Sequence, residues 1–164
     1  MRPRPLPAGP GQESVWDYPR PPRIDPSPLE VTVRAGGKEL ARTSAAVRVL
    51  ETSHPPNWYL PADAVAPRAL TRSAVRGTVC EWKGLATYWD VRIPDGVLEA
   101  AAWSYEDPTP GFRSIAGMVS WYPALVECTV GGERVQPQDG GFYGGWITAD
   151  VVGPFKGSPG SFGW

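Results

Sequence analysis

One side chain in this chain ordinarily titrates near neutral pH, and it lies in a restricted backbone setting. His54 is the only histidine among the 164 residues, and Pro55 and Pro56 follow it directly. Because proline fixes its own φ angle and restricts the preceding residue, the loop should hold the imidazole in one place. The residue type predicts a general acid or base, or a hydrogen-bond donor to an anionic ligand. A histidine that only anchors the loop at a surface or interface is the structural alternative.

A thiol, a carboxylate and an amine lie close together in the segment from Cys80 to Gly84. A cysteine near a cation is acidified and becomes nucleophilic, so Cys80 beside Lys83 is a candidate for a thiolate step. Cys80 and Cys128 are alternatively two half-buried small apolar side chains. Strand alternation places Cys80 and Lys83 on opposite faces, unless a bulge or turn interrupts the strand at Lys83.

Aromatic side chains are abundant, with 8 Trp, 6 Tyr and 4 Phe. Most should belong to the core, but two or three could wall a pocket for a small planar or cationic ligand. The catalytic candidates are His54, Lys83 and Cys80. The ligand-binding candidates are Tyr59, Glu81, Tyr88, Trp103 and Tyr105.

Several classes of function are disfavoured by composition and by absent motifs. The net charge of -1 and the pI near 5.8 argue against nucleic-acid binding. No GxxxxGK[ST] phosphate loop and no GxGxxG turn is present, and the single histidine with no CxxC pair disfavours a zinc site. We therefore expect no metal and no cofactor.

The bulk sequence also predicts a location and a type of partner. The first residues include arginines but no apolar segment typical of a signal peptide, and no run approaches the roughly 18 apolar residues of a membrane span. We expect a cytoplasmic protein, a monomer or homodimer, without membrane association. Its expected partner is a small-molecule ligand or substrate.

We expect these residues to lie on short strands and on the turns between them. The 19 Gly and 20 Pro favour turns, and no amphipathic helix of four turns is evident. Alternating residues around Gly36-Gly37 predict a β-hairpin. The runs 78–82, 86–93 and 97–105 predict a three-stranded meander. We divide the chain into a Pro-rich arm (1–28), a core domain (29–135) and a Gly/aromatic extension packed on the core (136–164). Within the arm, we expect residues 13–22 to pack on the domain.

Several segments together resemble one bacterial family, domain of unknown function 427. The similar segments of its core are 51–65, 80–89 and 101–108. Residues 13–22, 141–148 and 153–157 resemble the N- and C-terminal extensions of its actinobacterial members. The resemblance covers nearly everything from Glu13 to Trp164.

The resemblance implies the Mss4-like, or β-tent, architecture of two antiparallel sheets pinched together. Relatives of that fold include methionine sulfoxide reductase B, a cysteine enzyme, and the ligand-binding domain of cereblon, which has a tryptophan cage. Several proteins of this fold hold a structural zinc ion on paired CxxC motifs, which this chain lacks. The family sometimes carries a nucleotidyltransferase label, but we find no phosphate-binding Gly-Ser turn followed by spaced aspartates here.

Three functions follow as hypotheses. The first is a small-molecule-binding domain. It would also be a metal-free enzyme if His54 moves a proton, Lys83 holds an anion and Cys80 reacts. The second is a non-catalytic module whose aromatic cage includes Trp82, Trp89 or Trp103. The third is a protein-interaction domain that docks a partner through the arm and the C-terminal extension.

Overall fold

Short extended segments form most of the regular structure in residues 2–164, the part of the chain that the computed structural model describes. Within those residues the helical segments are three 3₁₀ helices, Val15–Asp17, Ala62–Ala64 and Pro110–Ile115. The prediction of a mainly β domain is confirmed. The strands in chain order are β1 (Glu13–Ser14), β2 (Arg23–Pro26), β3 (Val31–Ala35), β4 (Lys38–Thr43), β5 (Val47–Leu50), β6 (Asn57–Tyr59), β7 (Leu70–Arg72), β8 (Val79–Cys80), β9 (Gly84–Leu85), β10 (Thr87–Ile93), β11 (Gly96–Ser104), β12 (Val119–Trp121), β13 (Glu127–Val130), β14 (Glu133–Arg134), β15 (Gln136–Pro137), β16 (Trp146–Ile147) and β17 (Val151–Val152).

Two groups of strands join to form the layer that carries the candidate site. One has the order β12-β11-β10-β7 and the other β2-β5-β6. Leu60 and Val119 exchange two backbone hydrogen bonds of 2.8 Å, which link the chain just after β6 to β12. This continuity brings Tyr59 near the aromatic residues of β10 and β11.

A second antiparallel sheet has the order β14-β13-β3-β4. Its β3–β4 hairpin turns at Gly36 and Gly37, whose φ angles of 58° and 75° favour glycine. The predicted Gly-Gly hairpin is confirmed. The β-tent architecture stays a prediction, with which two antiparallel sheets are compatible.

The main core lies between these two layers, and strand alternation decides which side chains enter it. Val31, Val33 and Leu40 of the second sheet pack in one cluster with Trp58 and Ala102 of the first layer. Tyr59 and Trp103 directly follow Trp58 and Ala102 in the chain, and they belong to a second cluster on the opposite face of the first layer. That second face carries the candidate site.

The predicted three-stranded meander is wrong in its first strand. β10 and β11 do form an antiparallel hairpin, from Thr87 opposite Ser104 to Ile93 opposite Gly96. β8 pairs instead with β9, as a separate ribbon of two residues a side. The chain turns at Glu81–Lys83, so the predicted strand 78–82 is cut short and leaves no length for pairing with β10.

The N-terminal arm and the C-terminal segment pack against each other and against the domain. β1 pairs with β17 in parallel, and Val15 is fully buried. The Trp16 indole N–H donates to the Pro154 carbonyl at 2.9 Å. The prediction that residues 13–22 lie on the domain is confirmed for this part of the arm. The three-part division at 28 and 135 stays a prediction.

Candidate functional site

A cavity of about 230 Å³ opens on the second face of the first layer. Its walls come from the β8–β9 ribbon, from β10 and β11, from the loop around His54 and from the C-terminal segment. The residues that line it are Glu51, His54, Asn57, Thr78, Val79, Cys80, Glu81, Trp82, Lys83, Ala86, Tyr88, Trp103, Tyr105, Tyr122, Phe142, Tyr143, Gly144 and Lys156.

The turn between β8 and β9 explains how Cys80 and Lys83 both reach this cavity. Strand alternation ends at Cys80, because Glu81–Lys83 form a turn and Gly84 takes a φ of 104°. The turn is held by Thr109, whose backbone N–H donates to the Lys83 carbonyl at 3.0 Å. The Thr109 hydroxyl also donates to the Trp82 carbonyl. The structure therefore has a strand that is interrupted by a turn before Lys83, rather than a regular strand that continues through it.

Lys83 is a buried cation among aromatic rings. Its side chain is 7% exposed, and Nζ donates to the Tyr59 hydroxyl at 3.3 Å. Nζ also lies 5.7 Å from the ring centre of Tyr59 and 5.4 Å from that of Tyr105. Among residues 2–164 no carboxylate lies within 4 Å of this ammonium group. Two of its three N–H donors thus remain for a ligand.

The charge of Lys83 persists at neutral pH. Burial acts to lower the pKa of this ammonium group. Tyr59, Cys80 and Glu51 act in the opposite direction, and the pKa lies above the ordinary value of lysine. The pocket therefore holds a fixed positive charge next to apolar walls.

Three aromatic side chains form the wall behind Lys83. The Tyr59 hydroxyl also accepts from the Trp103 indole N–H at 3.4 Å. The Tyr59 ring centre lies 6.4 Å from the ring centres of Trp103 and Tyr105. Tyr88 stands directly opposite Trp103 in the β10–β11 pair, and its hydroxyl lies 2.8 Å from Thr78 Oγ1. Burial raises the pKa of Tyr105, so its phenol stays protonated.

His54 also lines the cavity and is neutral at physiological pH. The residue is 8% exposed, and its ring packs edge-on against Tyr143 with centres 4.8 Å apart. Burial lowers the pKa of His54 from 6.5 to about 3. The charges of Lys156, Arg20 and Lys83 act in the same direction. A group with this pKa is a weak base, so its predicted role as a general base finds no support in its surroundings.

The C-terminal segment closes the cavity above Trp103. A Cβ on Gly144 would lie 2.2 Å from Trp103 Cη2, so only glycine permits this contact. The Tyr122 hydroxyl donates to the Phe142 carbonyl at 3.1 Å, and Lys156 Nζ lies 5.8 Å from the Tyr143 ring centre. The Gly/aromatic run 140–146 is thus part of the wall.

All the predicted site residues meet in one region, although their predicted roles stay predictions. The residues His54, Lys83, Cys80, Glu81, Tyr88, Trp103 and Tyr105 line the cavity. Tyr59 is fully buried directly behind it, in contact with Lys83.

The alternative aromatic cage is only partly assembled. Trp82 and Trp103 line the cavity, while Trp89 points to the other face of β10 and donates to Ser104 Oγ at 2.9 Å. Sequence reasoning missed Tyr122, Tyr143 and Lys156 as lining residues. For Lys156 a signal existed, since it is one of only three lysines in the chain.

Among residues 2–164 no three His, Cys, Asp or Glu side chains lie together in a group able to hold a metal ion. In the same range no helix is long and apolar enough to cross a membrane.

The chain was also compared with known proteins. No curated protein matches it. A family model described as domain of unknown function (DUF427) matches residues 23–132, which include β2 to β13 and all of the β8–β9 ribbon. Because that match covers more than half of the sequence, the chain belongs to the domain of unknown function 427 family.

Proposed function

We propose that this chain binds a small molecule with an anionic group in the cavity around Lys83. The observation that carries the proposal is the buried ammonium group, which has one protein hydrogen bond and no carboxylate partner within salt-bridge distance among the described residues. Buried cations are normally paired. An anionic ligand would supply the missing partner and would form charge-assisted hydrogen bonds to Nζ.

The cavity limits the size and shape of this ligand. Ligand sites for drug-sized molecules are roughly 300–1,000 Å³, so a cavity of about 230 Å³ favours a smaller compound. Its aromatic walls favour a planar or apolar body attached to the anionic group. The negative charges of Glu51 and Glu81, which also line the cavity, disfavour a second anionic group near them.

Catalysis is a second candidate function for the same cavity. The observation that favours it is that a nucleophilic residue type, Cys80, and the Lys83 ammonium group line one cavity. The metal-free reaction by His54, Lys83 and Cys80 stays a prediction, as does the docking of a protein partner.

Binding is tested by following the indole N–H resonance of Trp103 by NMR while small compounds are added. The anionic compounds are acetate, inorganic phosphate, benzoate and phenyl phosphate, and the neutral control is benzamide. We expect saturable shifts with at least one anion and none with benzamide, because only an anion neutralises Lys83. The proposal is wrong if no anion shifts the resonance, or if benzamide binds as tightly as benzoate.

A further inference from the structure

Gln138 makes hydrogen bonds that leave its amide group only one orientation. Its Oε1 accepts from the Gly145 backbone N–H at 3.1 Å, and its Nε2 donates to the Lys156 carbonyl at 2.6 Å. A backbone N–H is always a donor and a carbonyl always an acceptor, so exchange of the amide oxygen and nitrogen would place like groups together at both contacts. Nε2 is therefore the atom that faces His54.

The second N–H of Gln138 is directed at the imidazole. Gln138 Nε2 lies 3.2 Å from His54 Nδ1, and both residues are buried. Because the amide nitrogen can only donate, Nδ1 must accept and carries no proton. In a neutral imidazole the remaining proton then lies on Nε2. That atom lies 3.7 Å from Glu51 Oε2, a carboxylate that itself lines the cavity.

We infer that Gln138 is a positioning residue that fixes His54 as an Nε2–H donor, so that a ligand in the cavity meets this atom as a hydrogen-bond donor and never as a base. The part of this inference that concerns the ligand rests on the proposed function, whereas the tautomer of His54 does not. The ligand class it names is an oxyanion, either a carboxylate or a phosphoryl group, that binds Lys83 and needs no base at His54. A ligand that needs a base at Nε2 is excluded, because that nitrogen already carries a proton.

The backbone around His54 supports a fixed imidazole. The His54 N–H donates to the Glu51 carbonyl at 3.0 Å, and the Ser53 carbonyl accepts from the Lys156 N–H at 2.8 Å. The Ser53 N–H donates to the Val15 carbonyl at 3.0 Å. The loop is thus held from both sides, by the N-terminal arm and by the same C-terminal segment that carries Gln138.

The tautomer is read directly from a long-range ¹H–¹⁵N correlation spectrum of the unliganded chain. His54 is the only histidine, so a sample without a histidine tag gives one imidazole pattern. We expect the Nε2–H pattern throughout the range from about pH 5 to about pH 8. An Nδ1–H pattern, an imidazolium pattern or an averaged mixture of tautomers would overturn the inference.

Variants at position 138 test whether Gln138 is responsible. In Gln138→Glu the carboxylate can only accept, so the proton should move to Nδ1 or the ring should become charged. Gln138→Met removes both polar atoms of the amide while nearly preserving the size of the side chain. We expect a mixture of His54 tautomers in this variant. Gln136→Glu, at an exposed residue of β15, is the matched control and should keep the wild-type pattern. If both Gln138 variants keep the wild-type pattern in a folded chain, the inference is wrong.

Addition of benzoate and phenyl phosphate separates this inference from the proposed function. We expect the Nε2–H proton to shift with one of them while the tautomer stays the same, and the more effective compound identifies the oxyanion as carboxylate or phosphoryl. If a compound shifts the Trp103 indole resonance but not this proton, the inferred contact of the ligand with His54 is wrong and the proposed function stands. If none of the four anions shifts the Trp103 resonance, the proposed function fails. The role of Gln138 is judged by the unliganded spectrum alone.

Discussion

At the scale of single residues, burial and nearby positive charges keep His54 neutral, whereas Lys83 keeps its charge. Both residues could be identified from the sequence, because one is the only histidine and the other lies near a cysteine and a glycine turn. The neutrality of His54 was not predictable, since it results from burial and from charges far away in sequence. Gln138 was missed for the same reason, because it lies 84 residues from His54.

The lowered pKa of His54 predicts a pH-dependent stability. The folded imidazole has a pKa of about 3, whereas the unfolded one titrates near 6.5. Between these values the unfolded state binds more protons, so stability is complete above about pH 6.5 and falls as the pH falls. Around the ring, Glu51 would favour its charge, while Arg20, Lys83 and Lys156 disfavour it.

We expect the free energy of unfolding to decrease by about 2 kcal/mol between pH 7 and pH 5. Urea denaturation at both pH values measures this change. In His54→Gln the titrating group is gone, and most of the decrease should disappear. An equal decrease in the wild type and the variant would show that His54 titrates normally.

At the scale of elements, strand alternation explains how the aromatic residues are divided. Trp58 packs in the main core while Tyr59 faces the cavity side. Trp89 and Tyr88 divide in the same way on β10. This sorting follows from a period of two and was accessible from the sequence. The pairing of β8 was not, because a two-residue strand carries no period that could identify its partner.

The C-terminal segment gives an element-scale prediction at Gly144. Gly144→Ala would place a methyl group 2.2 Å from Trp103 Cη2. We expect a loss of stability of roughly 1–3 kcal/mol and weaker benzoate binding, because the Trp103 ring or the segment must move. The measurement is urea denaturation together with an NMR titration.

Gly111→Ala is the matched control for this substitution. A Cβ at Gly111 meets nothing within 4 Å, and the residue lies in the 3₁₀ helix Pro110–Ile115. Its stability should stay within about 0.5 kcal/mol of the wild type. Equal stability of the two variants would mean that residues 142–144 do not pack on Trp103 as described.

At the scale of the whole molecule, the cavity needs the C-terminal segment that follows the family match. Residues 23–132 match the family model, yet Tyr143, Gly144 and Lys156 line the cavity from outside that range. Gln138 also lies outside it and contacts His54. The sequence predicted a packed C-terminal extension, but its contribution to the site depends on long-range contacts that local patterns do not encode.

Benzoate binding to the wild type, Lys83→Met and Lys38→Met shows whether the cavity recognises an anion through Lys83. Methionine preserves the length of the side chain and removes the charge, while Lys38 is an exposed lysine of β4. A charged hydrogen bond contributes about 1.5–3 kcal/mol, so Lys83→Met should weaken benzoate binding roughly tenfold to a hundredfold. Lys38→Met should bind benzoate as the wild type does. Unchanged binding by a folded Lys83→Met variant would contradict the claim that this cavity recognises an anion through its buried lysine.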